Sequence, residues 1–223
     1  MESLADRKKR VRKIIAKLGK QYPDVRCMLD FSTPLELLVA TILSAQCTDE
    51  RVNMTTPTLF RKYRTAKAYA GAPLEELEGL IKSCGTFRNK AKAIKAACTA
   101  IAETHGGEVP GTMDELHALD GVGRKTANVV LGNAFDVPSI IVDTHVLRLS
   151  GRLGLAKPHN VAKRYADKIE QELLEVVSPA ARTRFSHLLT WHGRRCCAAR
   201  KPRCPECVID SLCPYPDKTQ AQP

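Results

Sequence analysis

Strand signals are nearly absent from this sequence. Aromatic residues make up 5% of it, and β-branched alternation is scarce. The best strand candidate, Ser139-Ile140-Ile141-Val142, is too short to seed a sheet. No apolar run approaches the roughly 18 residues that cross a bilayer, which argues against a membrane-spanning helix. The first 20 residues carry Arg7, Lys8, Lys9, Arg10, Arg12 and Lys13 without an apolar stretch behind them, so no secretory signal is predicted. Internal repeats and low-complexity linkers are lacking too. Acidic residues are the minority: 35 Lys and Arg against 24 Asp and Glu leave a net charge of +11. That surplus predicts a polyanionic partner, with DNA or RNA ahead of a membrane surface. The expectation is a soluble, cytoplasmic, helical protein.

Helix signals fill the gap. Thr33-Pro34-Leu35-Glu36 combines an N-cap Thr, a Pro at the first helical position and a capping-box Glu. The run it opens, Leu37 to Leu43, is apolar all round and so predicts a buried helix. Pro73-Leu74-Glu75-Glu76-Leu77 begins another. Asn89 to Thr104 is amphipathic, with Lys90, Lys92 and Lys95 set against Ala91, Ile94, Cys98 and Ile101. Thr112-Met113-Asp114-Glu115 is a second capping box, with a short helix to Leu119. Arg124 to Phe135 and Val161 to Val177 complete the series, the latter ended by Ser178-Pro179. The fold class is all-α. The polar, proline-containing last ten residues are expected to fray.

Leu119-Asp120-Gly121-Val122-Gly123 lies between two helix signals. Glycine lets backbone N–H groups approach a phosphate closely, and the next helix adds its free N-terminal N–H groups and positive dipole end. The same residues also suit a plain tight turn. Arg124 and Lys125 tilt the balance. Cations in the first turn of a helix cost roughly 0.3–1 kcal/mol each. Their presence makes sense if a phosphate neutralises them, or if Lys125 is wanted as a neutral amine able to form a Schiff base with a sugar aldehyde. Asp143, in Val142-Asp143-Thr144-His145, reads as a helix N-cap. It also reads as a carboxylate that deprotonates a nucleophile or stabilises a cationic sugar. His145 reads as a packed or phosphate-contacting histidine.

Nine cysteines would suit a secreted disulfide scaffold, but the count is odd and they bunch near the C-terminus. Cys197, Cys204, Cys207 and Cys213 follow C-x6-C-x2-C-x5-C. Four thiolates this close predict a metal centre. The spacing points to a metal more strongly than to which metal: zinc usually shows two close pairs and this pattern has one, while a [4Fe–4S] cluster tolerates longer loops; Cys196 is an adjacent spare. The loop between the first two cysteines holds Arg200, Lys201 and Arg203. Pinned by a metal, it becomes a basic finger for phosphates.

Gly121-Val122-Gly123-Arg124-Lys125-Thr126-Ala127-Asn128, Val142-Asp143-Thr144-His145 and the cysteine spacing together resemble the endonuclease III family. Leu43-Ser44-Ala45-Gln46, Arg88-Asn89-Lys90-Ala91 and His192-Gly193-Arg194 extend the resemblance over residues 7 to 216. It implies a helix-hairpin-helix DNA glycosylase fold, with a six-helix barrel domain at 26–136 and a discontinuous iron–sulfur cluster domain at 1–25 and 137–223. It further implies a monomeric glycosylase and abasic-site lyase acting on duplex DNA that contains damaged pyrimidines or abasic sites. Lys125 then matches the family's nucleophile, Asp143 its catalytic carboxylate, and Gln46 the residue that fills the space of the flipped base. Cys197, Cys204, Cys207 and Cys213 match the [4Fe–4S] ligands. Gly121, Gly123, Arg124, His145, Arg200, Lys201 and Arg203 are the expected DNA contacts. Two positions depart from the family: Asp120 stands where Pro is usual, and Thr86 where a duplex-wedging Leu is usual. Two rival readings are an adenine-mismatch glycosylase relative and a non-catalytic DNA-binding module with a redox-sensing cluster. Lys125 argues against the first, and nicking of an abasic site separates the second.

Overall fold

The structure is a computed structural model that describes residues 2–157 and 165–220. Among these residues every regular element is helical. The chain forms two compact units, Cys27–Val137 and a discontinuous unit of Met1–Arg26 with Pro138–Pro223. None of the described helices is long and apolar enough to cross a membrane.

The first helix, α1 (Leu4–Gln21), belongs to the discontinuous unit. Ser3 caps it by accepting from the Asp6 N–H. The chain then enters the continuous unit through α2 (Pro34–Leu43), capped by Thr33. Glu36 reaches back to the N–H of Ser32 at 2.6 Å, one residue before the partner a standard capping box uses. Every residue from Leu37 to Leu43 is buried. Five helices follow: α3 (Asp49–Lys62), α4 (Ala66–Gly71), α5 (Leu74–Ile81), α6 (Phe87–Thr104) and α7 (Met113–His117). The last of the unit is α8 (Arg124–Ala134). Both α6 and α8 pack on α2, and α7 packs on α8. The apolar α2 is therefore the central element that these helices cover.

α6 starts two residues before the predicted Asn89, because Thr86 turns the chain in a left-handed conformation, φ 40°, directly ahead of Phe87. α3 carries Pro57 in its interior. That proline forfeits one backbone bond and hides the helix from pattern reading.

In the discontinuous unit α1 packs against α10 (Ala166–Val176) and α11 (Arg182–Arg195), and α9 (Thr144–Arg152) against both of them. The core joins Val11, Ile14 and Leu18 to Leu149, Leu173, Phe185 and Leu188. The predicted helix over 161–177 is described from Ala166; residues 158–164 lie outside the described residues. Ser139 to Val142 is a buried connector without strand partners. Side chains of α11 meet its N–H groups instead: Thr183 Oγ1 accepts from Ser139 at 3.3 Å and Ser186 Oγ from Ile141 at 2.9 Å. Lys218 and Thr219 are better held than the composition of the last ten residues predicts, and residues 221–223 lie outside the described residues. Lys218 pairs with Asp210 at 3.0 Å, and the Thr219 hydroxyl donates to the carbonyl of Pro202.

Candidate functional site

Within the continuous unit, the glycine turn leads straight into α8. Gly121 has φ +76°, and a Cβ built on it would lie 2.5 Å from the Cβ of Ala93 on α6. Glycine is thus required twice, by backbone conformation and by close packing. Gly123 differs. It is the N-cap of α8 with φ −81°, and a Cβ there would meet nothing within 4 Å. The fold does not need a glycine at 123, whereas a ligand approaching the helix start would. Arg124 and Lys125 follow in the first turn, Arg124 half-buried and Lys125 exposed. Asp120 is exposed beside them.

Gln46 and Thr86 occupy two other loops of this unit. Both are exposed and left-handed, at φ 53° and 40°. Non-glycine residues rarely hold that conformation, and they concentrate where function demands it. One buried side chain ties the two loops together. Lys90, 5% exposed, donates to the carbonyl of Leu43 at 2.8 Å and to that of Cys84 at 2.5 Å. Burial holds its pKa below the usual lysine value, partly offset by the neighbouring Cys47 and Cys84 thiols. The sequence motif around Arg88-Asn89-Lys90 offered no hint of this role.

In the discontinuous unit Asp143 is the N-cap of α9. Its Oδ1 accepts from the N–H groups of His145 and Val146 at 2.8 and 2.7 Å, and Oδ2 accepts from the Thr190 hydroxyl at 3.0 Å. The carboxylate is fixed from two helices yet keeps free lone pairs on Oδ2. His145 packs against Gly193, whose hypothetical Cβ would come within 2.8 Å of the imidazole Nδ1. Arg148 donates to that Nδ1 at 3.1 Å and to the carbonyls of Gly193 and Cys197 at 3.0 and 2.9 Å. Burial lowers the His145 pKa, against a smaller opposing effect of Asp143.

Cys197, Cys204, Cys207 and Cys213 all line one cavity, together with Arg152, His192 and Ile209. Arg152 donates to the Cys197 sulfur at 3.1 Å and to the carbonyls of Ala198 and Ala199 at 2.7 and 2.9 Å. Arg148 and Arg152, one turn apart on α9, thereby hold both the first cysteine and the basic loop after it. In that loop Arg200, Lys201 and Arg203 are exposed, and Lys201 adopts φ 51°. Sequence reading missed Arg148, Arg152, Lys90 and His192. The i, i+4 arginine pair on α9 was the one available signal.

A strained glutamine, a glycine turn feeding a lysine-bearing helix and a four-thiol cavity are separate features until compared with known proteins. Residues 39–179 match the HhH-GPD superfamily of base excision DNA repair proteins. The endonuclease III of Synechocystis sp. is 50% identical over 96% of each chain, and that of Escherichia coli K12 is 42% identical over 92% of this chain and 95% of its own. The chain belongs to the endonuclease III family. Its structure superposes on a non-covalent endonuclease III–DNA complex with a TM-score of 0.86 at 42% identity, covering 96% of this chain and 97% of the other. A trapped covalent endonuclease III–DNA intermediate matches equally well, again with a TM-score of 0.86. This endonuclease III-family chain is a base-excision repair DNA glycosylase and lyase. The all-helical architecture is that of the family.

Proposed function

We propose that Lys125 is the nucleophile and Asp143 the carboxylate that assists it, on duplex DNA whose oxidised or ring-damaged pyrimidine has been flipped from the stack. The observation that carries this reading is an exposed lysine amine in the first turn of α8, behind a turn that is open at Gly123. Backbone N–H groups at that turn hold a phosphate without reading sequence. Asp143 takes a proton from the Lys125 ammonium or stabilises the developing sugar cation. The lysine nitrogen attacks C1′, and the base leaves with the bonding pair and gains a proton. Loss of a proton from nitrogen and ring opening give the imine. The imine acidifies the C2′ proton. Its removal breaks the C3′–oxygen bond and releases the 3′ phosphate. Gln46 enters the space that the base leaves.

Cys197, Cys204, Cys207 and Cys213 are proposed to hold a [4Fe–4S] cluster. Two observations support the fit. All four thiols line one cavity. Yet among the described residues the single set of three or more ligand atoms within 4.8 Å of one another is a different one, His192, Cys196 and Cys207. A lone tetrahedral ion needs donors roughly 3.5–4 Å apart, so the spread of the four thiols suits a multi-iron group. Such a group supplies cross-linking of the loop that carries Arg200, Lys201 and Arg203, which with His145 contact phosphates. The enzyme acts as a monomer.

Borohydride trapping tests the central assignment. Wild-type protein and an abasic duplex should give a covalent adduct. Lys125→Gln and Lys125→Arg should give none while retaining DNA binding; the latter keeps the charge but cannot supply a neutral amine. A normal adduct yield from Lys125→Arg would mean that another amine is the nucleophile.

A further inference from the structure

One sulfur near the cluster cavity has no part in the reading above. Cys196 precedes the first of the four cysteines, and its sulfur gathers with His192 Nε2 and Cys207 Sγ inside 4.8 Å. His192 Nε2 lies 3.3 Å from Cys207 Sγ. Cys196 Sγ is 3.4 Å from the Arg203 carbonyl, to which it donates as a thiol. A tetrahedral zinc ion, with Zn–S near 2.3 Å and Zn–N near 2.0–2.1 Å, spaces its donors roughly 3.5–4 Å apart. Three donors gathered inside 4.8 Å can be drawn onto one ion by small side-chain shifts, and among the described residues no three of the four cluster cysteines are gathered so closely.

The surroundings complete a metal site. The Tyr22 hydroxyl is 3.1 Å from His192 Nδ1. With Nε2 on a metal, Nδ1–H donates to the Tyr22 oxygen, the outer partner that orients a metal-binding imidazole. His192 is 2% exposed, so the ring stays in that orientation. A second cavity, lined by Tyr22, His192, Arg195, Cys196, Arg203 and Glu206 among others, also reaches His192 and Cys196. It offers an entry path and room for a water as fourth ligand. The divalent charge is cancelled by two thiolates, which suits a place beside Arg195 and Arg203.

We propose that this chain, before it receives its cluster, binds one zinc ion through His192, Cys196 and Cys207. Each of the two thiols gives up a proton to solvent, and histidine ligates as the neutral ring. Because Cys207 is shared, zinc and the cluster exclude one another. That second half rests on the cluster reading above; the zinc site itself does not.

The test uses the full chain, freed of iron under anaerobic conditions, as wild type, Cys196→Ala and Tyr22→Phe. Zinc is titrated against a chromophoric chelator, and cobalt(II) serves as the spectroscopic stand-in. Wild type should bind one ion, release two protons per ion and show a sulfur-to-cobalt band of two-thiolate intensity. Cys196→Ala should lose affinity by about 100-fold or more, and Tyr22→Phe by roughly 10-fold. Zinc-loaded wild type should refuse iron and sulfide, while Cys196→Ala, which keeps all four cluster cysteines, should take them up normally even with zinc present. Unchanged zinc affinity in Cys196→Ala, a four-thiolate cobalt band, or no zinc binding by wild type would overturn the proposal. The cobalt band of wild type decides the matter even if the variant fails to fold. Failure of zinc-free wild type to assemble iron would instead sink the cluster reading, leaving the zinc result to be judged alone.

Discussion

Lys90 Nζ lies 2.8 Å from the carbonyl oxygen of Leu43, the last residue of α2. The ammonium group satisfies a helix-terminal carbonyl and sits at the negative end of the dipole. Its second bond, to Cys84, joins the loop of Gln46 to the loop of Thr86. Lys90→Met keeps the apolar stem and removes the donors, so two buried carbonyls lose their partner. The expected loss is on the order of 2–4 kcal/mol, read by urea unfolding. Hydrogen exchange should show residues 44–48 and 84–88 losing protection first. Protection unchanged in both loops would mean that Lys90 does not couple them.

The two glycines of the turn should separate under the same substitution. Gly121→Ala meets both the positive φ and Ala93, and should cost on the order of 2–4 kcal/mol. Gly123→Ala meets nothing and should cost roughly 1 kcal/mol or less, as an N-cap exchange. DNA affinity should fall at least tenfold in Gly123→Ala even though its thermal midpoint barely moves. Equal DNA affinity for Gly123→Ala and wild type would remove the phosphate from this turn.

Gln46 holds a left-handed backbone that costs stability. Gln46→Gly relieves the positive φ and should stabilise the protein by about 0.5–1 kcal/mol. Base excision by that variant should drop at least tenfold, while nicking of a pre-formed abasic site, where no base must be replaced, changes less. Gln46→Ala, which keeps the strain and loses the amide, should show the same catalytic loss without the gain in stability. A fully active Gln46→Gly would show that the side chain does not enter the duplex.

Acid sensitivity should be traceable in part to His187, alongside His192, which burial also pushes down to about 4. Burial pushes the pKa of His187 down to about 4, against a smaller opposing effect of Asp143. The folded chain thus binds fewer protons than the unfolded chain between the ordinary value near 6.5 and about 4. Stability is full above that window and falls as the pH drops through it, by roughly 3–3.5 kcal/mol at most. His187→Gln should flatten the dependence of urea midpoint on pH between 6.5 and 4. An unchanged slope would place the acid sensitivity elsewhere.

Particular elements show why some of this was readable from sequence. α2 was legible because an unbroken apolar run behind a Thr-Pro cap has no stable place except a core. α7 was legible because its capping box is local: Thr112 accepts from the Glu115 N–H at 3.4 Å and donates to its carboxylate at 2.5 Å. α3 was hidden by Pro57, and its stability comes from packing against α2 and α5. α11 lacks a side-chain cap, so it too depends on its neighbours. Residues 139–142 carry strand propensity, but the described residues offer no partner strand and α11 hydroxyls supply the bonds.

Chemistry encoded in short, contiguous patterns belonged to the sequence: the turn with its lysine, the aspartate at a helix start, the spacing of four cysteines and the positive charge. Each is local, so residue order is enough to declare it. Tertiary structure decided which glycine the fold needs and which it leaves open, since that depends on Ala93 across a helix interface. It also decided that a buried lysine spans two loops, that two arginines of α9 hold the cysteine loop, and that Cys196 meets His192 and Cys207. These are contacts between residues up to about fifty positions apart. Only the packing of helices brings such groups within reach, because directional bonds and close contacts act over a few ångströms and leave no periodic mark on the sequence.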